Sequence, residues 1–182
     1  MRVGLVVATA ALIAVAFFTR GRAAADGTGQ EVWRQFRGQI VLSDVLLAAA
    51  SDFASEASRI SSLRRMQRNE ILGAGGFWRM HGVAFLDPPP ASGALALRAT
   101  DVTDPRDPRF IRLFEMPAQS GDRELAMDDL VLTGAMGFQP GHKVLLEVER
   151  HDDDLGGTPG GPPPPVPTGK RDVYAKGVVT LR

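Results

Sequence analysis

The stretch PGHKVLLEVER, residues 140–150, decides how this chain is read. Pro140-Gly141 is a turn signal, and the residues after it have period two. Val144, Leu146 and Val148 fall on one face, while Glu147 and Glu149 fall on the other. Side chains of a strand point alternately to its two sides, so this pattern is a strand with Val144, Leu146 and Val148 inward and both glutamates outward. The chain repeats the pattern at DVYAKGVVTLR, residues 172–182, where Val173, Ala175, Val179 and Leu181 alternate with Tyr174, Lys176 and Thr180. Two such strands pair as a hairpin. A hairpin needs about two to five loop residues, but HDDDLGGTPGGPPPPVPTGK, residues 151–170, lies between them. Only one strand comes after that segment. It therefore reads as an overlong acidic and Gly/Pro-rich loop rather than a tether between domains.

Working back toward the N-terminus, the β pattern continues. Leu130–Thr133 is a short strand, and Phe110–Met116 is apolar on both faces, which predicts a central strand. Leu95, Leu97 and Ala99 alternate before a turn-rich break at Asp101–Pro105. Trp78, Met80, Ala84 and Leu86 share one face of a strand that ends at Pro88-Pro89-Pro90; Phe77, Arg79, His81 and Phe85 share the other. Before it, Leu46, Ala50, Phe53, Ala57, Ile60 and Leu63 recur at steps of three or four. They predict a helix over 44–72, capped by Ser43 and stopped by Gly73, Gly75 and Gly76. The first element, Val32–Leu42, alternates and reads as a half-buried strand.

About seven strands at these spacings suit two packed sheets. PGHKVLLEVER and then DVYAKGVVTLR resemble the last two strands of immunoglobulin-like or fibronectin-type domains, over residues 130–182. The tyrosine-corner Tyr and the Cys…Trp…Cys hallmark are absent, and a long helix stands between the first two strands. The fold expected is mainly β: an immunoglobulin-like antiparallel β-sandwich with one long α-helix inserted between its first two strands.

Composition sets the compartment. Arg2, the 16-residue apolar run Val3–Phe18 and the small residues Ala23-Ala24-Ala25 read as an export signal over 1–25. The run is shorter than the roughly 20 residues of a membrane-spanning helix, although Arg20 and Arg22 also fit an uncleaved anchor. Residues 26–182 then form one domain, periplasmic or extracellular, with no stable membrane span once the signal is removed. Removing 1–25 takes away three arginines and no acids, leaving 18 basic against 21 acidic residues, a net charge of −3. Such a balance draws the protein to no polyanion, so no nucleic acid is expected. The chain has no cysteine, which excludes disulfides, thiol catalysis and cysteine-ligated zinc.

Three clusters carry candidate chemistry. Phe77, Arg79, His81 and Phe85 offer a ligand platform of aromatic surface with two polar heads; the competing reading packs the helix over this face, with Arg79 and His81 paired to helix acids. Asp101, Asp104 and Asp107 in DVTDPRDPR could gather oxygens for calcium at a strand end, joined by Asp128-Asp129 if the fold brings them together, yet aspartate is also ordinary turn chemistry. His151, Asp152, Asp153 and Asp154 open the long loop. Their spacing fails the EF-hand template; they read either as a solvated insertion whose acids repel β-association at an edge or as a partner-facing loop.

No G-x-S-x-G, H-E-x-x-H or P-loop is present. The reading is an exported, non-catalytic binding or assembly module of the cell envelope with no cofactor, recognising an envelope or extracellular protein partner through sandwich-end loops. Two rivals remain. One is a calcium- or metal-dependent domain or enzyme using the 101–107 and 152–154 aspartates. The other is a small-ligand carrier whose pocket, between helix and sheet, is lined by Phe53, Ile60, Trp78 and Phe85.

Overall fold

The computed structural model describes residues 29–91, 94–150 and 171–182. The export segment 1–25 and the loop 151–170, with His151 and Asp152 to Asp154, lie outside the described residues.

Among the described residues the chain is mainly β, in two sheets and with no barrel. Its elements in order are α1 (Gln30–Phe36), β1 (Ile40–Ser43), α2 (Glu56–Met66), β2 (Glu70–Ile71), β3 (Phe77–Phe85), β4 (Ala94–Asp101), β5 (Arg109–Pro117), β6 (Glu124–Thr133), β7 (Lys143–Arg150) and β8 (Val173–Leu181). The first sheet has the order β1-β3-β6 and the second β2-β8-β7-β4-β5. Every named pairing is antiparallel except β2 with β8.

One buried cluster lies between the sheets. It takes Trp78, Met80, Ala84 and Leu86 from β3 and its exit, Leu95, Leu97 and Ala99 from β4, and Val144, Leu146 and Val148 from β7. These are the residues whose alternation marked them as inward, and the β7–β8 hairpin forms as expected, with Leu146 across from Gly177. A second, smaller cluster lies on the other side of the first sheet. There Val32 and Phe36 of α1 and Ile60 and Leu63 of α2 cover Val41, Val83 and Phe85. The molecule thus has a helical layer, a three-stranded sheet, the main core and a five-stranded sheet.

Several expectations are corrected. Val32–Leu42 is a helix and then a strand. Val32, Phe36 and Ile40 are four apart, a spacing that fits a helical face as well as a strand, and Gly38 at φ +73 breaks the chain between α1 and β1. The helix expected over 44–72 is the 11-residue α2, preceded by a 3-10 turn at Ala50–Asp52. Ser55 starts it, accepting from the Ser58 N–H while the Ser58 hydroxyl accepts from the Ser55 N–H. Ser43, the expected cap, accepts from the Val45 N–H instead. Leu46 is left 61% exposed. The Arg68 N–H donates to the Leu42 carbonyl and turns the chain back to the sheet, so Glu70-Ile71 pairs with β8.

Strand β5 is an edge strand, not a central one. Ile111, Phe114 and Met116 pack in or against the main core, while Phe110 and Leu113 are only half-buried. The short strand at 130–133 is the end of a 10-residue β6. A bulge at Asp128-Asp129, opposite Met80 to Gly82, breaks the alternation and hides the strand's first half from a period-two search.

Candidate functional site

The loop between β4 and β5 is held by hydrogen bonds from its own aspartates. Asp101 ends β4, and its Oδ1 accepts from the Thr103 N–H at 2.9 Å and the Thr103 hydroxyl at 2.6 Å. Its Oδ2 lies 2.6 Å from His142 Nδ1, in the turn entering β7. The Thr103 oxygen accepts from the Lys143 N–H at 2.9 Å, and the Val102 N–H donates to the Lys143 carbonyl. Partial burial raises the Asp101 pKa, but the Thr103 and His142 hydrogen bonds outweigh it and hold the carboxyl below its ordinary value.

Beyond this clamp, Asp104 accepts from the Arg106 N–H, and Asp107 pairs with Arg109 at 3.4 Å. The three aspartates are therefore committed to turn, histidine and arginine partners. Among the described residues no three His, Asp or Glu side chains converge as a metal would require. Asp129 lies with Arg79 and His81, not with this loop.

The face carrying Phe77, Arg79, His81 and Phe85 divides in two. Phe85 is buried beneath the helices and stacks on Phe36 at 5.2 Å. Phe77 is half exposed at the start of β3. Between them, Arg79 Nε donates to Asp129 Oδ1 at 2.9 Å, and His81 Nδ1 accepts from the Asp129 N–H at 3.3 Å. Asp129 reaches both because the bulge places it at φ +56, in the left-handed region. The pairing expected with helix acids is thus made by a strand acid instead. Ser43 lies across from His81 in the β1–β3 register. Its hydroxyl is engaged with Val45, and no hydrogen bond joins the two side chains, so they are not assembled as nucleophile and base.

Phe53, Ile60, Trp78 and Phe85, the lining expected for a carrier pocket, do not face one space. Ile60 and Phe85 belong to the helix-side cluster, whereas Trp78 lies between the sheets, donating from Nε1 to the Arg182 carbonyl at 3.0 Å.

Pattern reading missed a charged network on the outer face of the second sheet. Glu147 and Glu149 do point away from the core, but they are buried, Glu149 completely. Arg171 Nη1 lies 3.1 Å from Glu149 and 3.6 Å from Glu147; Lys176 Nζ lies 2.9 Å from Glu147. Arg98, on β4 across from Glu147, stacks over Phe110 at 4.6 Å and lies 3.7 Å from Glu149. Desolvation lowers the Arg98 pKa, against the raising effect of Glu149. The signal was present as polar residues at period two on β4, β7 and β8, but only the register shows that opposite charges face one another.

What these clusters can do chemically is present charge from a fixed backbone: Arg106 and Arg109 at one end of the frame, Arg79 on the first sheet. Among the described residues no helix is long and apolar enough to cross a membrane. Comparisons with protein-family models, with curated proteins and with solved structures give no match.

Proposed function

We propose that this chain is an exported binding or assembly module of the cell envelope, recognising a protein partner through loops at the end of an immunoglobulin-like frame. The strand order supports the fold half of this reading. In that architecture the first, second and fifth strands share one sheet and the third, sixth and seventh share the other. Here β1-β3-β6 corresponds to the former and β4-β7-β8 to the latter, with β5 beside β4 as the additional strand of variable-type domains. Residues 1–25 support export by composition.

The observation that carries the functional half is the clamped β4–β5 loop. Asp101, Thr103 and His142 fix its base, so Asp104, Arg106, Asp107 and Arg109 stand exposed on a backbone that is already ordered. A preorganised charged loop loses little entropy when a partner binds, which favours recognition. The same commitments of Asp101, Asp104 and Asp107 argue against the calcium reading.

The test is capture from a solubilised envelope fraction by the mature chain, alongside a variant carrying Arg106→Ala and Arg109→Ala. The expected result is a discrete protein partner whose retention falls at least about tenfold in the variant, a loss of 1.4 kcal/mol. Equal retention by both, or no partner together with turnover of a small substrate, overturns the reading.

A further inference from the structure

Sheet edges expose unpaired N–H and C=O groups that another strand can adopt, and folded proteins usually close them. Three of the four edges here are closed or interrupted. The β8 edge is occupied by β2 at Thr180-Leu181 and by Gln39 at Lys176. The β1 edge receives the Arg68 N–H at the Leu42 carbonyl. The β6 edge is broken by the Asp128-Asp129 bulge, and its start is tied to α2 through Glu124 and Arg59. Strand β5 also has a bulge, at Ile111, but beyond it Arg112–Met116 is a regular stretch with no second strand neighbour among the described residues. Among the described residues, the backbone hydrogen bonds of Phe110–Met116 go only to β4.

Its side chains are not fully covered either. Phe110, Ile111, Leu113 and Phe114 are all partly exposed, and Leu113 and Phe114 occupy opposite faces in a regular stretch beyond the bulge at Ile111. Arg112 and Glu115 flank these two, and among the described residues neither has an ion-pair partner.

We infer that β5 is an acceptor edge for an extended segment of a partner protein, added antiparallel, with the pattern basic–apolar–apolar–acidic. An antiparallel segment meets Glu115, Phe114, Leu113 and Arg112 in that order. A base then faces Glu115, two apolar residues cover Phe114 and Leu113, and an acid faces Arg112. A second copy of this chain does not supply this. Two-fold pairing of β5 with itself matches only residues on the same face, and Arg112 and Glu115 lie on opposite faces, across from Ala99 and Ala96. Every symmetric register therefore leaves both charges unmatched or sets like against like. This edge is separate from the β4–β5 loop and does not depend on what that loop binds.

The test uses two synthetic peptides, one reading threonine–lysine–valine–valine–glutamate–threonine and the other with lysine and glutamate exchanged. Amide shifts and hydrogen exchange are tracked across the protein by NMR. The charge-matched peptide is expected to slow exchange at alternate amides of Leu113–Met116 and to bind at least about tenfold more tightly than its exchanged counterpart. The double variant Arg112→Glu, Glu115→Arg is expected to reverse that preference, which a merely structural effect of the substitutions would not do. Unperturbed β5 amides at millimolar peptide, equal binding of both peptides, an unreversed preference, or protection of β5 by self-association alone would each overturn the inference.

Discussion

Arg59 and Glu124 show how one pair can hold a layer in place. The guanidinium is buried under α2, lies 6.0 Å from the centre of the Phe85 ring and binds both oxygens of Glu124, whose side chain keeps 23% of its surface. The two partners are unequal. Glu124→Ala strands a buried cation, whereas Arg59→Met leaves an acid that can still be hydrated. Glu124→Ala is expected to cost about 3 kcal/mol of unfolding free energy in urea, and Arg59→Met clearly less; the reverse order would contradict this assignment of roles.

Glu56 acts similarly at the end of α1. Its Oε2 accepts from the Glu31 and Val32 N–H groups, and the Val32 bond contributes most to holding its pKa below the ordinary 4.5. A carboxyl whose folded pKa is depressed contributes stability that is fully present above its unfolded value. That contribution is lost as pH falls below the ordinary 4.5 and through the lower folded value. Wild type should therefore lose more stability than Glu56→Gln across this acid range, as read from urea midpoints at stepped pH. Parallel curves would remove Glu56 from the explanation.

Elements were legible where one period excluded the other. Strands β3, β4 and β7 read correctly because Trp78, Met80 and Ala84, then Leu95, Leu97 and Ala99, then Val144, Leu146 and Val148 each reach the core from one parity. In β8 the parity slips: an irregularity beside Val148 puts Tyr174 into the core next to Ala175 and leaves Val173 half-buried. Helix α1 did not read correctly, because seven residues hold only Val32 and Phe36 as buried anchors, and that pair satisfies both periods. A helix this short is not stable alone. It exists because Glu56 caps it from 24 residues away and Trp33 Nε1 donates to the Leu86 carbonyl, which no local pattern can reveal. The joins between elements are equally specific. A Cβ on Gly82 would lie 2.8 Å from Met127 Cε and 3.0 Å from the Val41 carbonyl oxygen. Gly82→Ala is expected to cost about 2 kcal/mol through overpacking, with the largest amide shifts in β1 and β6. A neutral effect would mean that β3 shifts more freely than its pairing suggests.

At the scale of the whole molecule, the class of fold could be read from the sequence but the site could not. Two sheets around one core come from parity alone. The clamp between Asp101 and His142 joins residues 41 positions apart, and Asp129 reaches His81 across 48. Neither separation resembles a motif, so only the strand register brings the partners together. The same holds for Arg98, Glu147, Glu149 and Lys176, which look like an ordinary solvated face until the strands are set side by side.

Strand β8 carries a consequence for how the chain is made. It comes after every other described strand, yet β7, β2 and the approach to β1 all take it as a neighbour, and the carbonyl of Arg182 just beyond it receives the N–H of Gly73 and the indole of Trp78. During synthesis these earlier segments must wait for residues 173–182 to emerge, because β2 and β7 meet in the second sheet only through β8. Contacts this distant in sequence also form slowly. Deleting residues 173–182 is accordingly expected to abolish cooperative unfolding in thermal circular dichroism, rather than merely lower its midpoint. Two strands that share a neighbour made after both of them stay apart until that neighbour arrives, so the order of synthesis and the order of the sheet run against each other.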